Sequence, residues 1–76
     1  MTITQLKYVL AVAEYKNFTL AAEKCFVTQP TLSMQIQKVE EELGIVIFDR
    51  SKKPIQLTDI GEKIVLQAKN IVNEAN

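Results

Sequence analysis

Residues 28–44 read Thr28-Gln29-Pro30-Thr31-Leu32-Ser33-Met34-Gln35-Ile36-Gln37-Lys38-Val39-Glu40-Glu41-Glu42-Leu43-Gly44. Leu32, Ile36, Val39 and Leu43 recur at intervals of four, three and four, the spacing of one face of an α-helix. Thr28 stands where an N-cap belongs, and Pro30 is tolerated in a first turn because its missing N–H has no partner there anyway. Gly44 follows the last residue of the stripe, where a left-handed C-cap favours glycine. A helix over about 29–43 is predicted. With the stripe turned inward, Gln29, Pro30, Ser33, Met34 and Gln37 fall on or near the outward face, and Thr31 lies between the two faces.

On the N-terminal side, Thr2 and Gln5 form a capping box ahead of Ile3, Leu6, Leu10 and Ala13, which predicts a first helix at about 3–15. Thr19 is placed to cap a short second helix from about Leu20 to Cys25. Its Ala21 and Ala22 are small enough for another helix to approach closely. On the C-terminal side, Ile45 to Arg50 is β-branched and aromatic, Ser51-Lys52-Lys53-Pro54 reads as a turn, and Ile55-Gln56-Leu57 alternates, the pattern of a hairpin. Thr58 then caps a fourth helix at about 59–75, with Ile64, Ala68, Ile71 and Ala75 in a stripe that Val65 and Val72 widen.

Composition narrows the chemistry. Seventy-six residues, 47% of them hydrophobic, make one small folded domain. The longest apolar run, Tyr8 to Ala13, is far short of the ~20 residues that span a bilayer, and no secretory signal is visible, so no membrane association is expected. With one cysteine and no histidine there is neither an internal disulfide nor nucleophile–histidine catalysis, and a zinc site would need an improbable set of carboxylates. The only glycines, Gly44 and Gly61, form no phosphate-cradling loop. No catalytic residue, metal or cofactor is expected, and a reducing cytoplasm suits the lone thiol. Cys25 is read as a small buried core residue ahead of a sensing thiol, since no cationic cluster surrounds it.

Two short helices joined tightly, the second opening with small polar residues, describe a helix-turn-helix at about 18–37, and the hairpin at about 45–57 occupies the place of a wing. The fold class is therefore mainly α: a winged helix-turn-helix, with a three-helix core and a short β-hairpin wing over 1–58, followed by a long linker or dimerisation helix over 59–76. In such motifs the N-terminal part of the second helix enters the major groove of double-stranded DNA, where glutamine and serine read base edges. Gln29, Pro30, Thr31, Ser33, Met34 and Gln37 are the base-facing candidates, and Thr28, Lys52 and Lys53 the backbone candidates. Net charge is zero, nine basic against nine acidic residues, which speaks against a phosphate partner. Its distribution speaks for one: Arg50-Ser51-Lys52-Lys53 carries +3 locally, and the acidic charge clusters at Glu40-Glu41-Glu42.

These residues resemble the LysR-type transcriptional regulators of bacteria, across nearly the whole chain. The stretch 28–44 is the strongest part. Phe18-Thr19-Leu20-Ala21-Ala22, Phe48-Asp49-Arg50 and Leu57-Thr58-Asp59-Ile60-Gly61 also follow the family pattern. Gln29-Pro30-Thr31-Leu32-Ser33 and Cys25 look most like the peroxide-responsive OxyR branch. The resemblance implies a homodimer paired through the fourth helix (with higher oligomers in the full-length parent). It also implies a small-molecule or redox effector bound by a C-terminal domain that this chain does not contain. Many relatives carry a basic residue where this chain has Met34, so the charge that position would bring to DNA is missing here. The redox cysteines of the OxyR branch belong to the effector domain, so the resemblance does not nominate Cys25.

Alternatives stay open at this point. Lys52-Lys53, expected at the DNA backbone or minor groove, also admits the reading of a solubilising turn, and the stripe Ile64, Val65, Ala68, Ile71, Val72 and Ala75, expected as a pairing surface, that of closure of the domain's own core. Neutral charge favours a winged-helix protein-interaction module without DNA binding; the polar start of the third helix favours DNA.

Overall fold

The computed structural model describes residues 1–75, with side chains through Glu74. Its elements are α1 (Ile3–Tyr15), α2 (Phe18–Lys24), α3 (Gln29–Leu43), β1 (Phe48–Asp49), β2 (Gln56–Leu57) and α4 (Asp59–Ala75).

Local chemistry sets the boundaries. The Thr2 hydroxyl accepts from the Gln5 N–H at 3.0 Å and the Gln5 side chain accepts from the Thr2 N–H at 2.9 Å, completing the capping box of α1. Lys16 ends α1 in the left-handed region at φ 53°, returning its N–H to Val12. Asn17 then caps α2, its side-chain oxygen accepting from the Leu20 N–H at 2.9 Å. The expected cap at Thr19 is thus corrected. Asparagine is the stronger capping residue, and helix initiation at Asn17 makes Phe18 helical and carries its ring into the core. Thr28 caps α3 and Gly44 closes it at φ 67°.

The wing is shorter than the sequence pattern suggested. β1 and β2 pair antiparallel, Phe48 opposite Leu57 and Asp49 opposite Gln56, two residues per strand. Residues 45–47 are withheld from the ladder because their backbone groups are already taken. The Ile45 N–H donates to the Glu40 carbonyl at 3.1 Å, the Ile47 N–H to the Glu40 carboxylate at 2.7 Å, and the Ile47 carbonyl accepts from the Thr58 N–H at 2.9 Å. Thr58 caps α4, accepting from the Gly61 N–H at 3.0 Å while donating to the Val46 carbonyl at 2.6 Å. Gly61 is buried where a Cβ would collide with the Ile47 carbonyl, so only glycine lets α4 start this close to the wing.

Leu32, Ile36 and Val39 of α3 are fully buried, packed with Val9 and Val12 of α1 and with Ala21 and Ala22 of α2. Phe18 and Phe48 meet edge to face, ring centroids 6.1 Å apart, tying α2 to the wing. α4 lies along α1: Val65 joins this core, and Ala68 and Val72 form a second cluster with Leu6. The expectation of a pairing surface on Val65, Ala68 and Val72 is therefore corrected. Their side chains close the domain's own core, because α1 offers them an apolar face within the same chain. Ile64 is half-buried against that core and Ile71 is exposed; the expected contribution of Ala75 lies outside the described side chains. No helix among the described residues is long and apolar enough to cross a membrane.

Candidate nucleic-acid interface

At the start of α3 the free hydrogen-bonding groups can be counted. Pro30 has no N–H, the Thr31 N–H donates to the Thr28 hydroxyl at 3.3 Å, and the Leu32 N–H donates to the Thr28 carbonyl at 3.0 Å. Among the described residues, that leaves the Gln29 N–H as the donor directed outward from the first turn. The Thr28 hydroxyl also donates to the Thr31 hydroxyl at 2.8 Å, so Thr28 is occupied on both sides and the proton of Thr31 remains for an outside acceptor.

The six base-facing candidates are gathered on the N-terminal part of one helix. Gln29, Pro30, Met34 and Gln37 are exposed, and Thr31 and Ser33 are half-buried. At 100° per residue, Gln29, Ser33, Gln37, Pro30 and Met34 fall within an arc of about 140° that begins beside the buried stripe and turns away from it. Thr31 sits off this arc. Met34 puts an exposed apolar side chain among polar neighbours, and the Gln37 amide donates to Glu41 at 3.3 Å, which engages one of its two protons. Glu40 lies on the same side of α3 as Ser33, two turns further along, but its carboxylate is turned to the wing, accepting from the Ile47 and Phe48 N–H groups at 2.7 and 3.4 Å.

Lys52 and Lys53 are exposed at the wing tip, and among the described residues neither is ion-paired. The wing tip is held by Asp49, whose side chain accepts from the N–H and the hydroxyl of Ser51. Those hydrogen bonds, the hydroxyl's foremost, hold its carboxyl below the ordinary aspartate range. A shallow groove lined by Lys16, Asn17, Thr19 and Lys53 brings the end of α1 beside the wing, so a third lysine joins this edge. Lys16 escaped the sequence reading because nothing local links residue 16 to residue 53.

Arg50 was counted in the basic run but given no role, and it holds the centre of the site. Its guanidinium lies 4.4 Å from the centroid of the Phe18 ring. Nη1 donates to the Ser33 hydroxyl at 3.3 Å, and Nη2 is 3.8 Å from the Glu40 carboxylate. These partners come from α2, from the outward face of α3 and from its C-terminal half. Cys25, expected in the core, is corrected to a half-buried position outside it, because it caps the C-terminus of α2; that burial still pushes its thiol pKa up, away from thiolate reactivity.

Residues 3–62 match the bacterial regulatory helix-turn-helix protein family, lysR family. The chain belongs to the LysR family. Among its LysR relatives, the hydrogen peroxide-inducible genes activator of Haemophilus influenzae is 45% identical over 74 residues, covering 97% of this chain and 25% of the relative. A full-length OxyR variant from Pseudomonas aeruginosa superposes with a TM-score of 0.94 at 48% identity, over 99% of this chain and 25% of that one. The BenM DNA-binding domain, solved as a complex with catB site 1 DNA, superposes with a TM-score of 0.96 at 39% identity, over 99% of this chain and 81% of that one. The chain spans about a quarter of the length of the curated LysR relatives it matches.

Proposed function

We propose that this chain binds double-stranded DNA sequence-specifically, as the DNA-binding part of a longer LysR-type transcriptional regulator. α3 enters the major groove with Gln29, Thr31 and Ser33 nearest the base edges, and Lys52 and Lys53 of the wing meet the backbone or minor groove. The observation that carries this reading is the division of α3: a fully buried apolar stripe backs an outward face of Gln29, Pro30, Ser33, Met34 and Gln37. Zero net charge does not oppose it. Glu41 and Glu42 lie about 18 Å along the helix from Gln29, and Glu40 is turned toward the wing. The BenM complex, a neighbour of the same fold and family bound to DNA, supports the reading.

The same reading gives the chain no catalytic role and places it in the cytoplasm with its DNA. Residues 1–58 form the winged unit and α4 links it to the rest of the parent protein. The peroxide-inducible activators among its relatives suggest a redox-responsive parent. Two copies pair through α4, using the apolar edge that its own core leaves open.

Mobility shift on a random-sequence duplex pool, read across salt, tests the proposal. A DNA binder loses affinity as salt rises, with a slope near 0.9 per neutralised phosphate. Lys52→Ala with Lys53→Ala is expected to weaken binding to every sequence and flatten that slope. Gln29→Ala and Ser33→Ala are expected to change which sequences are selected. Absence of any salt-dependent shift would reject the reading.

A further inference from the structure

We propose that Arg50 is a specificity-positioning residue, which orients the Ser33 hydroxyl as a hydrogen-bond donor toward the base edge. The inference rests on the reading of α3 as the recognition helix. A serine hydroxyl carries one proton and two lone pairs, and left alone it rotates to suit either a donor or an acceptor. Here Arg50 Nη1 donates into the oxygen at 3.3 Å. One lone pair is filled, and the adjacent cation makes the oxygen a poorer acceptor and its proton a better donor. The guanidinium is itself held in place. It stacks at 4.4 Å on the Phe18 ring, which is anchored in the core, and Nη2 faces Glu40, whose other oxygen is fixed by the Ile47 and Phe48 N–H groups. A planar fork with a stacking face suits this triple engagement, whereas a lysine offers a point donor.

The consequence is chemical selectivity. In the major groove guanine offers N7 and O6, adenine N7 and thymine O4 as acceptors, while cytosine presents only its N4 amino donor. A Ser33 fixed as donor therefore disfavours cytosine on the strand it contacts. Arg50 does this without touching DNA.

The test uses the 76-residue chain and duplexes it selects from a random-sequence pool. Ser33→Ala identifies the position where Ser33 discriminates; cytosine is expected to be the least favoured base there in the parent. Arg50→Met is expected to lose that discrimination by about two- to tenfold, the range of one net hydrogen bond, with the salt slope unchanged. The Ser33→Ala/Arg50→Met double variant is expected to lose no more than Ser33→Ala alone, because Arg50 acts only through that hydroxyl. Arg50→Lys keeps the charge and a stem over Phe18 and guards against misfolding; it too is expected to lose the cytosine bias. Arg50→Lys discriminating as the parent does, effects of Ser33 and Arg50 that multiply, or an Arg50→Met defect uniform across sequences with a slope lower by about 0.9 would each overturn the proposal. The last of these would make Arg50 a phosphate ligand. Ser33→Ala with unaltered selection overturns the recognition reading itself, whereas relaxed Ser33→Ala with unaltered Arg50→Met overturns only the role of Arg50.

Discussion

α3 and α4 are the two long helices, fifteen and seventeen residues, and both carry an apolar stripe at helical spacing. In α3 Leu32, Ile36 and Val39 disappear into the core with Leu43 half-buried behind them, and what remains outside is polar apart from Met34. In α4 the stripe is wider than the core it meets. Val65, Ala68 and Val72 are buried against α1, while Ile60 and Ile71 remain 42% and 43% exposed and Ile64 half-buried. On the helical wheel Ile60, Ile64 and Ile71 fall within about 40° of one another, beside the buried arc. One helix therefore offers hydrogen-bonding groups suited to a nucleic acid, and the other an apolar edge suited to a second protein surface.

The contrast breaks most severely at the buried stripe. Ile36 has no exposed surface, so Ile36→Ala is expected to cost about 2–5 kcal/mol, enough to unfold much of a domain this small. Ile71→Ala, on the open edge of α4, is expected to stay within about 0.5 kcal/mol. Chemical denaturation of both variants checks the pair; comparable losses would mean that the α4 edge is also core.

The entries to the two helices differ as well. α4 starts against the wing, where the Cβ of Gly61→Ala would meet the Ile47 carbonyl, a backbone atom that cannot rotate away. About 1–3 kcal/mol of destabilisation is expected, with the hairpin opening first by amide exchange. α3 is instead entered through Phe26, left-handed at φ 59° and 94% exposed. A left-handed residue other than glycine costs roughly 1–2 kcal/mol, and asparagine tolerates that region best among the rest. Phe26→Asn is expected to stabilise the fold by about 1 kcal/mol, a rise of roughly 4–8 °C in Tm. An unchanged or lower Tm would show that the ring contributes packing which its exposure conceals.

These contrasts also explain what could be read in advance. α3 was legible from residue to residue because its signals are local: Thr28 before the stripe, Gly44 after it, polar residues between. The same holds for the capping box at Thr2 and for Thr58. The start of α2 was misplaced because Asn17 and Thr19 are both capping residues two positions apart, and the burial of Phe18 that goes with Asn17 is a tertiary effect. Arg50 was missed because Phe18, Ser33 and Glu40 converge on it from distant parts of the chain. Periodicity located the apolar face of α4 correctly, but a period says which face is buried and nothing about what buries it. Hence Val65, Ala68 and Val72 were assigned to a partner chain when α1 was the nearer surface.

The smallest expected effect on folding is also the one that tests the open edge of α4. Ile60 and Ile71 each keep more than two-fifths of their surface exposed, so charging both removes little packing within one chain. Ile64 is unsuitable for this purpose, because it touches the main core and its replacement would mix folding with association. Ile60→Glu with Ile71→Glu is therefore expected to leave the Tm of the monomer within a few degrees, a stability change of about 0.5 kcal/mol or less. Self-association is a different matter. In a two-fold pair each substitution enters the contact twice, placing four carboxylates in an apolar seam along a rod of about 25 Å. Desolvating like charges there is costly, so pairing is expected to be lost. Sedimentation equilibrium and binding to a palindromic duplex, measured on the same samples, separate the two effects. A folded double variant that still associates and binds both half-sites cooperatively would remove α4 from the interface. Val65→Glu supplies the contrast: with its side chain inside the core, it is expected to unfold the domain before any question of pairing arises.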